Sequence, residues 1–260
     1  MIRPVRKFLQ LRRPFVVGVV VEKNARAAER AAKSAFADGA DVIELNLSPL
    51  RPVPELDRGF FSRLGGPAYT TCRRSGFLRI YGPAFARLPA ASDDERMARQ
   101  LALLGAGAAG LDFEADTFAP SADEWTSDRS AVRRQRELAA EVHRRGAAVI
   151  ASWHPSRKLT FAQALRAART LRDRGADFVK IVERVRSRAE ALESVEISLR
   201  LAEKLGGPFI FLPLGPGAAE FRPYLTSFGS AFLLARPAIG SNRLAEQPLV
   251  SRARAIVDLT

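Results

Sequence analysis

At 260 residues, 47% hydrophobic and 27% charged, the chain has material for one large domain and the balance of a soluble globular protein. A formal net charge of +13 calls for anionic partners. Cys72 is the only cysteine, and His143 and His154 are the only histidines, which excludes an intrachain disulfide and any Cys- or His-rich metal site.

The arginines, among them Arg96, Arg99, Arg133, Arg134 and Arg136, are spread over the chain. They lack the aromatic interleaving, helix-turn-helix pattern or zinc-finger spacing of a nucleic-acid binder, so an anionic small molecule is the expected partner. The N-terminal stretch MIRPVRKFLQLRRPF is basic, without the apolar core of a signal peptide. No apolar run approaches the ~20 residues of a membrane span. A cytoplasmic location with no membrane contact is therefore expected.

In chain order, PFVVGVVV (14–21) predicts a first strand, and 24–38 carries apolar residues at helical spacing. DVIELNL (41–47) predicts a second strand, followed by the Pro-rich loop 48–56 and a helix over 55–64. AYTTCR (68–73) and AGLDFEA (109–115) predict strands 3 and 4, each preceding a helix, at 93–105 and 129–145, with PSADEWTSD (120–128) as a loop. AAVIASW (147–153), DFVKIV (177–182), PFIFLPL (208–214) and SAFLLA (230–235) complete the strands. Helical spacing follows at 160–174, 187–205, 217–227 and 248–258. Thr160 and Ser187 suit helix N-caps, and Gly105, Gly146 and Gly175 suit C-caps.

Eight βα units in a chain of this length predict a single (β/α)8 barrel domain over 1–260. GADVIEL (39–45) and GADFVKI (175–181) echo one another four units apart, each with an ionisable residue at the same offset, Glu44 and Lys180. A Rossmann-type sheet is the alternative, but no G-x-G-x-x-G follows the first strand.

Active sites of such barrels lie at the C-terminal ends of the strands. There the chain places Glu44, Asn46, Arg73, Asp112, Glu114, Ser152, His154, Lys180, Glu183, Arg222, Ser241 and Gln247. A lysine inside an apolar strand needs a partner, a lowered pKa or a chemical task. It is either a structural lysine paired with Glu44 or Glu114, or an amine nucleophile toward a carbonyl. His154, just past strand 5, is either a hydrogen-bonded structural residue or a proton shuttle beside such an amine. Arg73 and Arg222 are either solvated charges or a clamp for a carboxylate or hydroxyl. His143 reads as a surface residue at a helix end, and Cys72 as a small buried hydrophobe.

Taken together, DVIEL (41–45), TTCR (70–73), LDFE (111–114), ASWHPSRKLT (151–160), GADFVKIV (175–182) and FRPYLTSFGSAF (221–232) resemble the motifs of type I 3-dehydroquinate dehydratases. The resemblance spans roughly residues 14 to 258. It implies that Lys180 forms an imine, that His154 is the general acid/base, and that Arg222 binds the substrate carboxylate. It also implies that Glu44 and Arg73 contact ring hydroxyls, that Ser241 and Gln247 come from a closing loop, and that neither metal nor organic cofactor is used. A homodimer is the assembly it suggests. The chain departs from the pattern at Asn46, where the family has arginine, at Ser48, where aspartate is common, at Phe77, where it has glutamate, and in SNRLAEQ (241–247). Two alternatives follow from these departures: the same imine chemistry on another keto acid, by dehydration or aldol-type cleavage, or a non-catalytic homologue that binds an anionic metabolite.

Overall fold

The computed structural model describes residues 10–11, 14–50, 56–74, 80–82, 85 and 91–259. Phe77 and residues 51–55 of the Pro-rich loop lie outside this set.

Eight strands, β1 (Phe15–Val21), β2 (Val42–Asn46), β3 (Ala68–Thr71), β4 (Gly110–Glu114), β5 (Ala148–Trp153), β6 (Phe178–Arg184), β7 (Phe209–Leu214) and β8 (Phe232–Ala235), alternate with helices. They form one sheet in the order β7-β6-β5-β4-β3-β2-β1-β8, with every named pair parallel. The ends meet where the Ala231 N–H donates to the Phe209 carbonyl (2.7 Å) and the Phe211 N–H to Ser230 Oγ (3.2 Å). This is the (β/α)8 barrel expected from the alternation of elements.

The strands form because both their faces are buried. All seven residues of β1, FVVGVVV, are inaccessible, and such continuous β-branched runs suit parallel strands covered on both sides. Alternation then sorts side chains between helices and barrel interior. Phe15, Phe178 and Phe232 point inward and touch, with centroids 5.1 to 6.2 Å apart. They plug the lower barrel with apolar surface. Two residues further along β6, the same inward face carries Lys180.

The helices are α1 (Ala25–Ala37), α2 (Arg58–Arg63), α3 (Asp93–Ala106), α4 (Arg129–Arg144), α5 (Phe161–Asp173), α6 (Arg188–Leu205), α7 (Ala218–Phe221) and α8 (Val250–Val257). Thr160 and Ser187 cap α5 and α6 as expected, and Thr160 completes a capping box with Gln163. The segment 217–227 is not one α-helix: after α7 it tightens into a 3-10 turn over Arg222–Phe228, with Pro223 at its start. Gly146 and Gly175, at positive φ, follow the ends of α4 and α5. Gly105, by contrast, lies inside α3, and the cap is Gly107 at φ 122°. No helix among the described residues is long and apolar enough to cross a membrane.

Two glycines give opposite expectations. A Cβ on Gly110 would sit 2.6 Å from the Ala148 carbonyl oxygen, a backbone atom that cannot move aside, whereas a Cβ on Gly105 would meet nothing. Gly110→Ala should cost about 1–3 kcal/mol, and Gly105→Ala should gain about 0.4–1 kcal/mol. Urea unfolding of the two variants measures both, and equal stability would contradict this packing.

Candidate active site

The inward residues at the upper ends of β2 to β6 are polar or charged, and the barrel brings them together. Register places Ser152 beside Lys180 and Glu114 beside Ser152. Lys180 Nζ, on a residue 3% exposed, donates to Glu44 Oε2 at 3.2 Å and to Asp112 Oδ2 at 3.0 Å. Of the two partners expected from sequence, Glu44 is confirmed, whereas Asp112 takes the place of Glu114.

Each carboxylate has further donors. Tyr69 Oη donates to Glu44 Oε2 at 2.5 Å. Asp112 accepts from Arg73 Nη2 (2.9 Å) and from Ser152 Oγ (2.6 Å). The chain of charge continues outward: Arg73 faces Glu114 at 3.7 Å, Arg96 bridges Glu114 and Asp93, and Arg74 joins Asp93 to Asp116. Arg96 also donates to the Cys72 carbonyl. Burial pushes the Glu44 and Glu114 carboxyls up, but the cations beside them, Lys180 and Arg96 foremost, outweigh it and hold both below the usual range.

His154 follows β5 at the barrel mouth. Its Nδ1 lies 2.8 Å from Glu124 Oε2 and 3.4 Å from Arg73 Nη1. Burial, then the positive charges of Arg73 and Lys180, hold the imidazole well below its ordinary pKa. Near neutrality it is uncharged, so its contact with Glu124 is a hydrogen bond rather than an ion pair.

Arg222, at the start of the 3-10 turn, faces the same cavity from the opposite side. It is 2% exposed, and among the described residues its Nε and Nη1 have no hydrogen-bond partner. Burial pulls its pKa down. A buried guanidinium with unmet donors is an arrangement an anion completes.

The space above Lys180 is narrow, about 20 Å³, and is walled by Ile80, Tyr81, Val182, Leu214 and Leu244. It adjoins a wider cavity of about 270 Å³ that shares Ile80, His154, Val182 and Leu214 and adds Arg74, Glu124, Ser156 and Arg184. A room of 20 Å³ holds a water or two. A ring-sized ligand on Lys180 must therefore displace a wall residue such as Tyr81 or extend into the wider cavity.

Lys180, His154, Glu44, Arg73, Arg222 and Gln247 all line the inner cavity. Ser241 does not: its N–H and hydroxyl both donate to Glu22 at the end of β1 (2.5 and 2.8 Å). Asn46 shares the inward face of β2, but its Oδ1 accepts the Ser48 N–H at 3.0 Å, and its buried Nδ2 has no partner among the described residues. Glu183 faces the helices, accepting from Ser194 Oγ and the Leu159 N–H. His143 is exposed against Asp177, and burial pushes the Cys72 thiol up. Sequence reasoning passed over Tyr69, Tyr81 and Glu124. Only Glu124 carried a signal, as an acid in a loop after strand 4, on the catalytic face.

No protein-family model matches the chain, and neither does any curated protein sequence. Solved structures do match in fold. A 3-dehydroquinate dehydratase from Geobacillus kaustophilus HTA426 superposes with a TM-score of 0.76 at 18% identity, covering 95% of this chain and 90% of that one. A type I 3-dehydroquinate dehydratase from Clostridium difficile, described with covalent modified comenic acid, gives 0.76 at 16%, covering 96% and 93%. The 3-dehydroquinate dehydratase of Enterococcus faecalis gives 0.73 at 18%, covering 95% and 94%. The chain shares their barrel fold. A 2,3-dimethylmalate lyase matches more loosely, at 0.55 and 16% over 91% of this chain and 80% of that one.

Removing the ammonium should expose its role. Lys180→Met leaves Glu44 and Asp112 short of a cation, which should cost about 3–5 kcal/mol at pH 8. Burial then acts on Glu44 with only Tyr69 and Arg73 to offset it, which should raise its folded pKa, so the loss should shrink as pH falls and Glu44 takes a proton. Urea unfolding of both proteins at pH 5 and pH 8 reads this difference, and a pH-independent loss would contradict the pairing.

Proposed function

We propose that the protein is an imine-forming dehydratase acting on a cyclic hydroxy-keto acid of the 3-dehydroquinate type. The observation that carries the reading is the placement of three groups around one cavity: a buried primary amine, a neutral imidazole and a guanidinium with donors unmet among the described residues. The fold shared with the Geobacillus, Clostridium and Enterococcus dehydratases supports it.

The chemistry follows from these groups. Lys180 Nζ must lose a proton before it can attack, and Glu44 and Asp112 are the bases in contact with it. The amine adds to the substrate ketone and expels water, leaving an imine with a cationic nitrogen. That nitrogen accepts the electron pair released when His154 removes the adjacent C–H proton. The resulting enamine pushes out the β-hydroxyl, which takes the proton from His154 and leaves as water. Hydrolysis of the conjugated imine restores Lys180 and frees the enone. Arg222 anchors the carboxylate, while Arg73, Glu44 and Gln247 face the ring. Asp112, a strand-end acid with no role assigned from sequence, bridges Lys180 and Arg73 and holds the amine in place.

A second reading keeps the imine and changes the substrate. The side chains away from the amine favour it: Asn46 stands where the family has arginine, and Ser241, expected from the closing loop, has its hydroxyl committed to Glu22. The Lys180 and Arg222 chemistry would serve another keto acid equally well.

Borohydride reduction in the presence of 3-dehydroquinate should leave an adduct on Lys180, seen by mass spectrometry, and enone should form in its absence. Lys180→Ala should give no adduct. His154→Ala should keep the adduct but lose turnover by about 10²–10⁴-fold. Adduct with other keto acids alone would move the assignment to the second reading, and no adduct with any keto acid would end both.

A further inference from the structure

We infer that Glu124 is the positioning residue of His154, its carboxyl deciding which ring nitrogen carries the proton. The inference rests on the reading of His154 as the proton shuttle and adds the group that sets its tautomer.

Two groups meet at His154 Nδ1, and they ask opposite things of it. Arg73 Nη1, at 3.4 Å, can only donate, so it favours a lone pair on Nδ1. Glu124 Oε2, at 2.8 Å, can only accept when ionised, which requires Nδ1–H. When protonated it can donate, which requires the lone pair. The heavy atoms need not move between the two states. In the first state Nε2 holds a lone pair and can act as a base; in the second it carries the hydrogen and cannot.

The loop that presents Glu124 is built to hold it still. Trp153 Nε1 donates to the Asp123 carbonyl at 2.6 Å, immediately before Glu124. Trp125, immediately after it, packs on Trp153 with centroids 5.0 Å apart. Arg174 lies over Trp125 and donates to the Thr126 carbonyl at 2.7 Å. Between these anchors Glu124 itself adopts φ 50°. A left-handed non-glycine residue persists only where its surroundings impose it, and such residues cluster at functional sites.

The charges around Glu124 set when the change occurs. Arg73 and Arg74 face it from the end of β3, Asp112 and Glu114 from β4, and His154 from β5, while Arg184 of β6 lines the same cavity. Burial is the largest influence and raises the carboxyl to about 7, with Arg73 opposing and Glu114 assisting. Since His154 is held well below its ordinary value, the proton exchanged near neutrality belongs to the pair through the carboxyl. As pH rises through 7, Nε2 gives a proton to water and the carboxyl proton passes to Nδ1. One proton leaves, and the imidazole is neutral before and after.

Nitrogen-15 NMR of the histidine side chains tests this in the free protein. His143 and His154 are the only histidines, so a His143→Gln variant assigns the spectrum. His154 should pass from the Nε2–H to the Nδ1–H tautomer between pH 5.5 and 8.5, with a midpoint near 7, without forming imidazolium. In Glu124→Gln the tautomer should no longer respond to pH. A wild-type tautomer that does not change, an imidazolium forming in this range, or an unaltered transition in Glu124→Gln would overturn the proposal; the wild-type spectrum decides even if the variant does not fold. The measurement needs neither substrate nor turnover, so failure to trap an imine on Lys180 would end the reading of the function and leave this result standing.

Discussion

The Lys180 ammonium between Glu44 and Asp112 sets the terms for the rest of the upper barrel. An ammonium taken out of water is tolerated only with close opposite charge, and the nearest carboxylates are themselves buried. Each then needs cations of its own. Arg73 serves Asp112, Glu114 answers Arg73, and Arg96 answers Glu114 and ties it to Asp93 near the surface. A closed barrel is the architecture that can assemble such a chain, because every second residue of neighbouring strands converges on one axis.

The lower barrel shows that this expense is not required for folding. There Phe15, Phe178 and Phe232 fill the same kind of interior with apolar contacts alone. Buried ion networks are commonly no more stable than hydrophobic side chains of equal volume. The polar upper half is therefore best understood through chemistry. Its charge is also lopsided: Lys180 is answered by two carboxylates, whereas Arg222 has donors without a partner among the described residues.

The fold was legible because the signals were local. Val-rich strands, capping residues such as Thr160 and Ser187, and glycine ends repeat in step, and strand boundaries shift by only a residue or two. Where local signals competed, the reading slipped: Gly105 resembled a terminus but lies in α3, and Pro223 turned the end of a presumed helix into a 3-10 turn. The site was legible where strand parity governs, since Glu44 and Lys180 are placed by the barrel strands themselves. It was not legible where a loop returns. Nothing in the spacing says that Glu124 reaches a histidine 30 residues away, or that Ser241 turns to Glu22 across the junction of β8 and β1. Asp112 was visible as a strand-end acid, but choosing it over Glu114 as the lysine's partner required the register.

The central claim is that Lys180 exchanges its carboxylate partners for a carbonyl carbon. Imine formation removes the carbonyl oxygen as water, and its reversal brings one back from solvent. A cyclic hydroxy-keto acid labelled with oxygen-18 at the ketone should therefore lose its label to water when mixed with the protein, at a rate proportional to enzyme concentration. The account predicts this washout for the wild-type protein and His154→Ala, and none above the buffer rate for Lys180→Ala. Product formation with full retention of label in unreacted substrate and product alike would contradict it.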